Sequence, residues 1–398
     1  MFTKSQENAL NIIKDFIKSD DTVMCLSGSP GTGKTYLVNE GIPAVVEGTG
    51  YHLAITAMTN KAARLINGCT IHSMLGIRME NNYKNGKSDF NLNRVKPIAD
   101  SLIIIDEASM MDSNLYDVLM NNIHDCKILF VGDKYQLPAV KNRLDVFSMY
   151  RTVELNEVVR QTDQDFLNVI GKAKMRVIEQ VFEPEFKDTC SCVKTVNLED
   201  KAFIKQLLSS FDPVKDKVLC YSNEAVHAFN VGVRKFHNKP AELTPNDSVI
   251  CRNYCENLLH GSRTAIRAEQ CLTIDDITPP YTIQLGKGTL SVRDITFKEI
   301  GETWTCAHDW HEYRNILDST AKAKDWVTHF DFKEKVADIR STEACTIHTS
   351  QGSTYDRVFI NYDDIVAHPQ MGKACQSRLF YVALTRAKKE VYIYGKNL

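Results

Sequence analysis

Lys34 and Thr35 close the octapeptide Gly28-Ser29-Pro30-Gly31-Thr32-Gly33-Lys34-Thr35, which has the spacing of a Walker A loop. Glycines there let backbone N–H groups crowd around phosphate oxygens, the lysine pairs with β- and γ-phosphates, and the hydroxyl holds Mg²⁺. A nucleoside triphosphate is the ligand such chemistry takes. Further along, the apolar run Leu102-Ile103-Ile104-Ile105 ends in Asp106-Glu107-Ala108-Ser109. A strand buried on both faces of a parallel sheet delivers its next residues to the carboxyl edge, where ligands sit. Asp106 is placed to reach a hydrated Mg²⁺, and Glu107 to orient and deprotonate an attacking water.

These groups need a scaffold, and the pattern around them supplies one. Thr22-Val23-Met24-Cys25-Leu26 reads as a buried strand entering the loop, and Tyr36-Leu37-Val38 starts the following helix. Strand-like runs at Leu53 to Thr56, Leu102 to Ile105 and Ile128 to Val131 alternate with helical patterns, which implies a parallel α/β sheet. Between His72 and Pro97 the alternation gives way to a polar stretch containing Asn85-Gly86, a strong hairpin turn signal. From Phe166 to about Asp200 the sequence is helical, then charged and irregular, as in a domain connection. Val218-Leu219-Cys220-Tyr221, followed by Ser222-Asn223 as a helix cap, opens a second α/β unit. Val358 to Tyr362 and Glu390 to Tyr394 add two more buried strands to it. Short alternating strands from Glu242 to about Ala307, then charged helical sequence from His308 to Lys335, suggest a small β-barrel with helices inserted in that unit.

The 398 residues suffice for two or three domains, and 43% hydrophobic with 25% charged residues is ordinary soluble composition. A formal net charge of −2 gives no global basic field, so any nucleic-acid contact must come from local grooves. The 12 cysteines have no zinc-finger spacing and read as reduced thiols in a cytoplasmic setting. No apolar run approaches the roughly 20 residues that span a bilayer, and the N-terminus lacks the apolar core of a signal peptide.

Taken in order, the motifs resemble superfamily 1 DNA helicases of the 5′→3′ translocating kind, of the phage Dda and RecD types. Thr3 and Gln6 look like the adenine-reading Q motif of that family. Thr56 to Arg64, with Thr59 and Asn60, and Thr70-Ile71-His72-Ser73 look like its motifs Ia and Ib, which grip the single strand. Val131-Gly132-Asp133-Lys134-Tyr135-Gln136-Leu137-Pro138 resembles motif III, with Gln136 as γ-phosphate sensor. Leu155 to Gln161 resembles motif IV, in which Arg160 contacts the γ-phosphate; an ion pair with Glu157 is the other reading of Arg160. Thr346-Ile347-His348-Thr349-Ser350-Gln351-Gly352 and Tyr381 to Ala387 look like motifs V and VI, with Gly352 at the nucleotide and Arg386 as an arginine finger. Two positions depart from the pattern: Thr349 stands where many relatives have lysine, and Thr354 where some have a ribose-holding glutamate.

The resemblance implies two RecA-like P-loop domains. The first comprises residues 1–75 and 98–170, with a β-hairpin at 76–97; the second comprises 171–240 and 340–398, with a β-barrel and helical insertion at 241–339. It implies ATP and Mg²⁺ as cofactors, and Thr59, Asn60, His72, Asn223, Thr346 and His348 against a DNA strand. His72 and His348, each in a Thr-Ile-His context, form a pseudo-symmetric pair suited to phosphate or base contact. Tyr83 and Phe90 on the hairpin either pack against the parent domain or separate strands. The expected activity is ATP-driven 5′→3′ translocation on single-stranded DNA with duplex unwinding at a fork, by a monomer working with single-strand-binding or replication proteins. A nucleic-acid-stimulated NTPase that remodels protein–DNA complexes with little unwinding is the alternative, and a non-motor P-loop module a third reading.

Overall fold

The computed structural model describes residues 2–396 apart from 87, 92–94, 140–141, 160–162, 184–185, 198, 241 and 263. Six parallel strands form the first sheet, in the spatial order Thr152–Leu155, Val23–Gly28, Lys127–Gly132, Ser101–Asp106, His52–Ala57 and Cys69–Thr70. Side chains alternate across a strand, so Leu102 and Ile104 enter one core with Ala9, Ile13 and Leu37, while Ile103 and Ile105 enter another with Leu115 and Phe130. Both faces are covered, which is why the run carries no polar break. The covering helix Lys4–Lys18 starts from a reciprocal capping box between Thr3 and Gln6 and buries Ala9, Ile13, Phe16 and Ile17 at helical spacing.

A hairpin leaves this unit after the helix Ile71–Met74, pairing Arg78–Asn81 antiparallel with Ser88–Asn91. Its turn is built by Asn82, whose Oδ1 accepts from the backbone N–H of Lys84 and Asn85, and by Gly86, which has φ 73°.

The second sheet is also parallel, in the order Val193–Val196, Ala387–Tyr394, Tyr355–Asn361, Asp216–Cys220 and Ala344–Thr346. Two features differ from the sequence expectation. The edge strand Val193–Val196 lies within what reads as a domain connection; only Val193 and Val196 of its four residues are buried, too little to stand out. The helix Gln164–Glu179 buries Phe166, Val169, Ala173 and Val177 in the core of the second unit, beside Leu379 and Val382, so a boundary at residue 170 would cut it in two. Helical periodicity shows which face is buried but not which sheet covers it.

The insertion contains the antiparallel strands Ser248–Cys251, Cys271–Ile277, Tyr281–Leu285, Gly288–Phe297 and Thr303–Ala307, with Ile339–Ser341 returning beside Ser248–Cys251. A bridge from Cys306 to Ala337 brings the last two segments together, so the strands curl into a small ring around Val249, Leu272, Phe297 and Trp304. Ile339–Ser341 therefore spans the expected edge of the insertion. The helices Trp310–Lys322 and Trp326–Lys335 pack outside it. Among the described residues no helix is long and apolar enough to cross a membrane.

Candidate nucleotide cleft and strand-binding face

The strand Val23–Gly28 runs into the glycine loop, and the helix beginning at Lys34 leaves it. Gly31 and Gly33 have φ of 89° and 80°, the left-handed region that favours glycine. A Cβ on Gly28 would lie 2.5 Å from Thr32 Oγ1, and one on Gly33 2.3 Å from Gln6 Nε2, so the loop closes tightly around its own backbone. Lys34 Nζ donates to the carbonyls of Gly28 (2.6 Å) and Ser29 (3.3 Å). Thr35 is exposed on the first turn, and Ser29 and Pro30 are half-buried. Gln6 does not face outward as a base reader would. Its Nε2 donates to Thr32 O at 3.0 Å, its Oε1 accepts from Thr3 N–H at 3.0 Å, and it is only 3% exposed.

Asp106 and Glu107 stand at the carboxyl end of Ser101–Asp106, as expected. The Glu107 N–H donates to Asp106 Oδ1 at 2.9 Å, and Glu107 has φ 55°, a strained conformation for a non-glycine residue. Burial pushes the Glu107 carboxyl up to about 7, with Asp106 adding to the effect and Lys34 opposing it. Burial likewise raises Asp106, against Lys34 and the Glu107 N–H. Glu107 Oε2 is buried without a hydrogen-bond partner among the described residues.

The second unit closes the other side. Gly352 has φ 70°, and a Cβ built on it would stand 3.8 Å from Glu107 Oε1. Beside it, Gln351 Nε2 donates to Gln136 Oε1 at 3.4 Å. Arg378 Nη1 donates to the carbonyls of Lys134 (2.9 Å) and Gln136 (2.8 Å), and Tyr381 OH donates to Asp133 Oδ2 at 2.9 Å. Arg386 is buried and turned onto its own unit, donating to Val382 O, Ser353 O and Thr385 Oγ1 at 3.0 to 3.3 Å. Burial pulls its pKa down, against the nearby carboxylates of Glu107 and Asp133. Arg160 lies outside the described residues. Sequence reasoning missed the roles of Arg378 and Tyr381; their spacing of three on the helix Lys373–Leu384, just before Arg386, was the available signal.

A sequence model described as an AAA domain matches residues 2–176, and one described as a UvrD-like helicase C-terminal domain matches residues 342–394. The chain is 24% identical to the ATP-dependent DNA helicase dda of Enterobacteria phage T4, with 98% of each chain covered. It is also 24% identical to the ATP-dependent DNA helicase Pif1 of Campylobacter jejuni, over 91% of this chain and 86% of that one. Its fold follows the crystal structure of a Bacteroides Pif1 helicase in complex with ADP-AlF3 and ssDNA, with a TM-score of 0.55 at 17% identity over 100% of this chain and 93% of the other. The chain belongs to the superfamily 1 helicases of the Dda/Pif1 type.

In this Dda/Pif1-type helicase the residues expected against a strand lie at the carboxyl ends of parallel strands in both units. Thr59 caps the helix Asn60–Leu65 by accepting from Ala62 N–H, Thr70 caps Ile71–Met74 by accepting from Ser73 N–H, and Thr346 Oγ1 accepts from Thr349 N–H. His72 and His348 are half-buried two residues after Thr70 and Thr346, and burial lowers both pKa values. Asn223 is exposed at the start of the helix capped by Ser222.

Tyr83 does not pack as the parent-domain expectation has it. Its hydroxyl donates to Glu334 Oε2 at 3.0 Å, and its ring meets Phe330 edge-on at 5.1 Å. Asn81 also donates to Glu334, and Gly86 lies against the Trp326 ring. Tyr83 thus braces the hairpin against the helix Trp326–Lys335 of the insertion, not against its parent unit. Phe90 pairs with Met79 through the backbone, and its side chain lies outside the described residues.

Proposed function

We propose that this ATP-hydrolysing DNA helicase travels 5′→3′ along single-stranded DNA and separates a duplex ahead of its hairpin. The observation carrying this reading is the position of Glu107, at the end of a phosphate-loop sheet, 3.8 Å from where a Cβ on Gly352 of the second unit would stand. Hydrolysis chemistry and relative movement of the two units then share one cleft.

The residues present suit a nucleotide with Mg²⁺. The loop is one a Cβ at Gly28 or Gly33 would fill, and Glu107 Oε2 is a buried acceptor awaiting a donor. Lys34 would exchange its loop carbonyls for β- and γ-phosphate oxygens, and Ser29, Gly31, Thr32 and Gly33 would turn backbone N–H groups toward them, with Pro30, which has no N–H, shaping the turn. Thr35 and Asp106 would hold Mg²⁺, which supplies neutralisation of phosphate charge. Glu107, held near pH 7, takes the proton of the attacking water. Gln136, joined to Gln351, senses the γ-phosphate, and Arg386 and Arg160 meet the charge that develops on it. For Arg386 this means leaving its intradomain carbonyls as the units close, and each closure shifts the grip on a strand lying across Thr59, Asn60 and His72 in one unit and Asn223, Thr346 and His348 in the other.

The braced hairpin supports unwinding over simple remodelling, because a wedge must resist the fork without folding away. The reading includes a cytosolic monomer acting on fork DNA beside single-strand-binding or replication proteins, and the 12 free cysteines fit a reducing compartment. ATP hydrolysis measured with and without oligo-dT is the test. Strong stimulation is expected; an unchanged rate would leave only a non-motor P-loop module.

A further inference from the structure

On the side of the Thr346 to Ser353 turn next to the insertion, charged side chains from three parts of the chain meet. Arg252, just past the insertion strand Ser248–Cys251, donates through Nη1 to Glu269 Oε1 at 2.7 Å and to Thr349 Oγ1 at 3.3 Å. Lys61, exposed on the first unit's helix Asn60–Leu65, donates to Ser353 Oγ. Both cations act on the Glu269 carboxylate and, with it and Lys217, surround the thiol of Cys345. Lys217 is buried, and its ammonium is taken up by the carbonyls of Pro213 and Thr342.

A structural tether does not explain this set. The ion pair of Arg252 with Glu269 lies wholly within the insertion, so it joins no two units. The bonds that do cross between units end on neutral hydroxyls of Thr349 and Ser353. Lys61 and Arg252 against Glu269 leave one positive charge, in addition to that of the buried Lys217, so the cluster favours an anionic group such as a phosphodiester. That charge lies beside the Thr346 and Thr349 hydroxyls, 2.9 Å apart, at the carboxyl end of a parallel strand, where such sheets take ligands. Among the described residues the Nε and Nη2 groups of Arg252 make no hydrogen bond, so its fork keeps donors for a phosphate.

We propose that Arg252 is a strand-phosphate contact supplied by the inserted domain, holding one phosphodiester together with Lys61 at the Thr346 to Ser353 turn, and that Glu269 is its resting counter-ion. This rests on the DNA-helicase reading above. Entry of a strand replaces Glu269 at the guanidinium, so the insertion senses whether the groove is filled.

The test is binding of fluorescent oligo-dT by the full chain across a KCl series, for wild type, Arg252→Ala, Arg252→Lys and Glu269→Gln, with the melting temperature of each. Arg252→Ala should weaken binding about tenfold and reduce the log–log salt slope by about 0.7, the share of one single-strand phosphate contact. Arg252→Lys should keep the wild-type slope, and Glu269→Gln should tighten binding. An Arg252→Ala slope equal to wild type, whether or not its melting temperature falls, would reduce the cluster to a strut and overturn the proposal. Absence of oligo-dT binding by wild type would instead remove the helicase reading, and the proposal with it.

Discussion

Tyr381 OH donates a 2.9 Å hydrogen bond to Asp133 Oδ2 across the cleft, with both residues fully buried. One is on the last long helix of the second unit, the other just past a central strand of the first. Tyr381→Phe leaves the shape of the ring but strands a buried carboxylate, which among the described residues otherwise keeps only the hydrogen bond from the Tyr135 N–H. A loss of about 1–3 kcal/mol in unfolding free energy is expected from denaturant titration. DNA-stimulated hydrolysis should fall more than DNA-independent hydrolysis, because only the former depends on communication between units. Equal losses in both would make the bond a strut.

Lys34→Ala should abolish hydrolysis, whereas Glu107→Gln should still bind ATP and lose turnover by about 10²-fold or more. Filter binding with labelled ATP separates the two. Parental turnover in Glu107→Gln would refute the general-base assignment.

Glu107 also sets a pH dependence. Its carboxyl is raised from 4.5 to about 7 in the folded chain, so kcat/KM should climb between pH 6 and 8 and level off above. Stability runs the other way. Between 4.5 and 7 the folded chain holds a proton that the unfolded chain has released, so this group's contribution is full below 4.5 and fades as pH rises through 7. Glu107→Gln should therefore gain melting temperature relative to wild type more at pH 8 than at pH 5. An equal difference at both values would show that the group is not perturbed.

Arg386→Ala should retain oligo-dT binding but lose about 10³-fold in DNA-stimulated kcat. Because Arg386 is buried and bonded to Val382 O and Ser353 O, part of any loss could be misfolding. Arg386→Lys, which keeps the charge without the planar fork, should remain folded by circular dichroism and still lose most of the stimulation.

The brace between Tyr83 and Glu334 gives a separate readout. Glu334→Ala, or replacement of residues 83–90 by a short Gly/Ser turn, leaves the nucleotide cleft untouched. Movement along single strands, followed by streptavidin displacement, should persist while duplex displacement drops severalfold. Unwinding at the parental rate would make the hairpin a packed ornament.

What was legible in the sequence was local. The phosphate loop, the strand ending in Asp106-Glu107 and the hairpin turn each declare themselves within a dozen residues, because glycine spacing, a double-sided apolar run and turn chemistry act over that range. The cross-cleft bond of Tyr381 with Asp133 joins residues 248 apart, and the brace of Tyr83 on Glu334 joins residues 251 apart. No periodicity reports such pairs. Gln6 shows a different limit: its position in the motif is evident, but the same amide can cap a helix, hold the loop or read a base, and only packing decides among them.

Strand displacement on two duplexes of equal sequence, one with a 5′ single-stranded tail and one with a 3′ tail, tests the central claim most directly. With ATP and Mg²⁺ the wild-type protein should displace the 5′-tailed duplex and leave the 3′-tailed one intact, and Glu107→Gln should displace neither. Displacement of the 3′-tailed duplex alone, or of neither duplex despite oligo-dT-stimulated hydrolysis, would contradict a 5′→3′ unwinding motor.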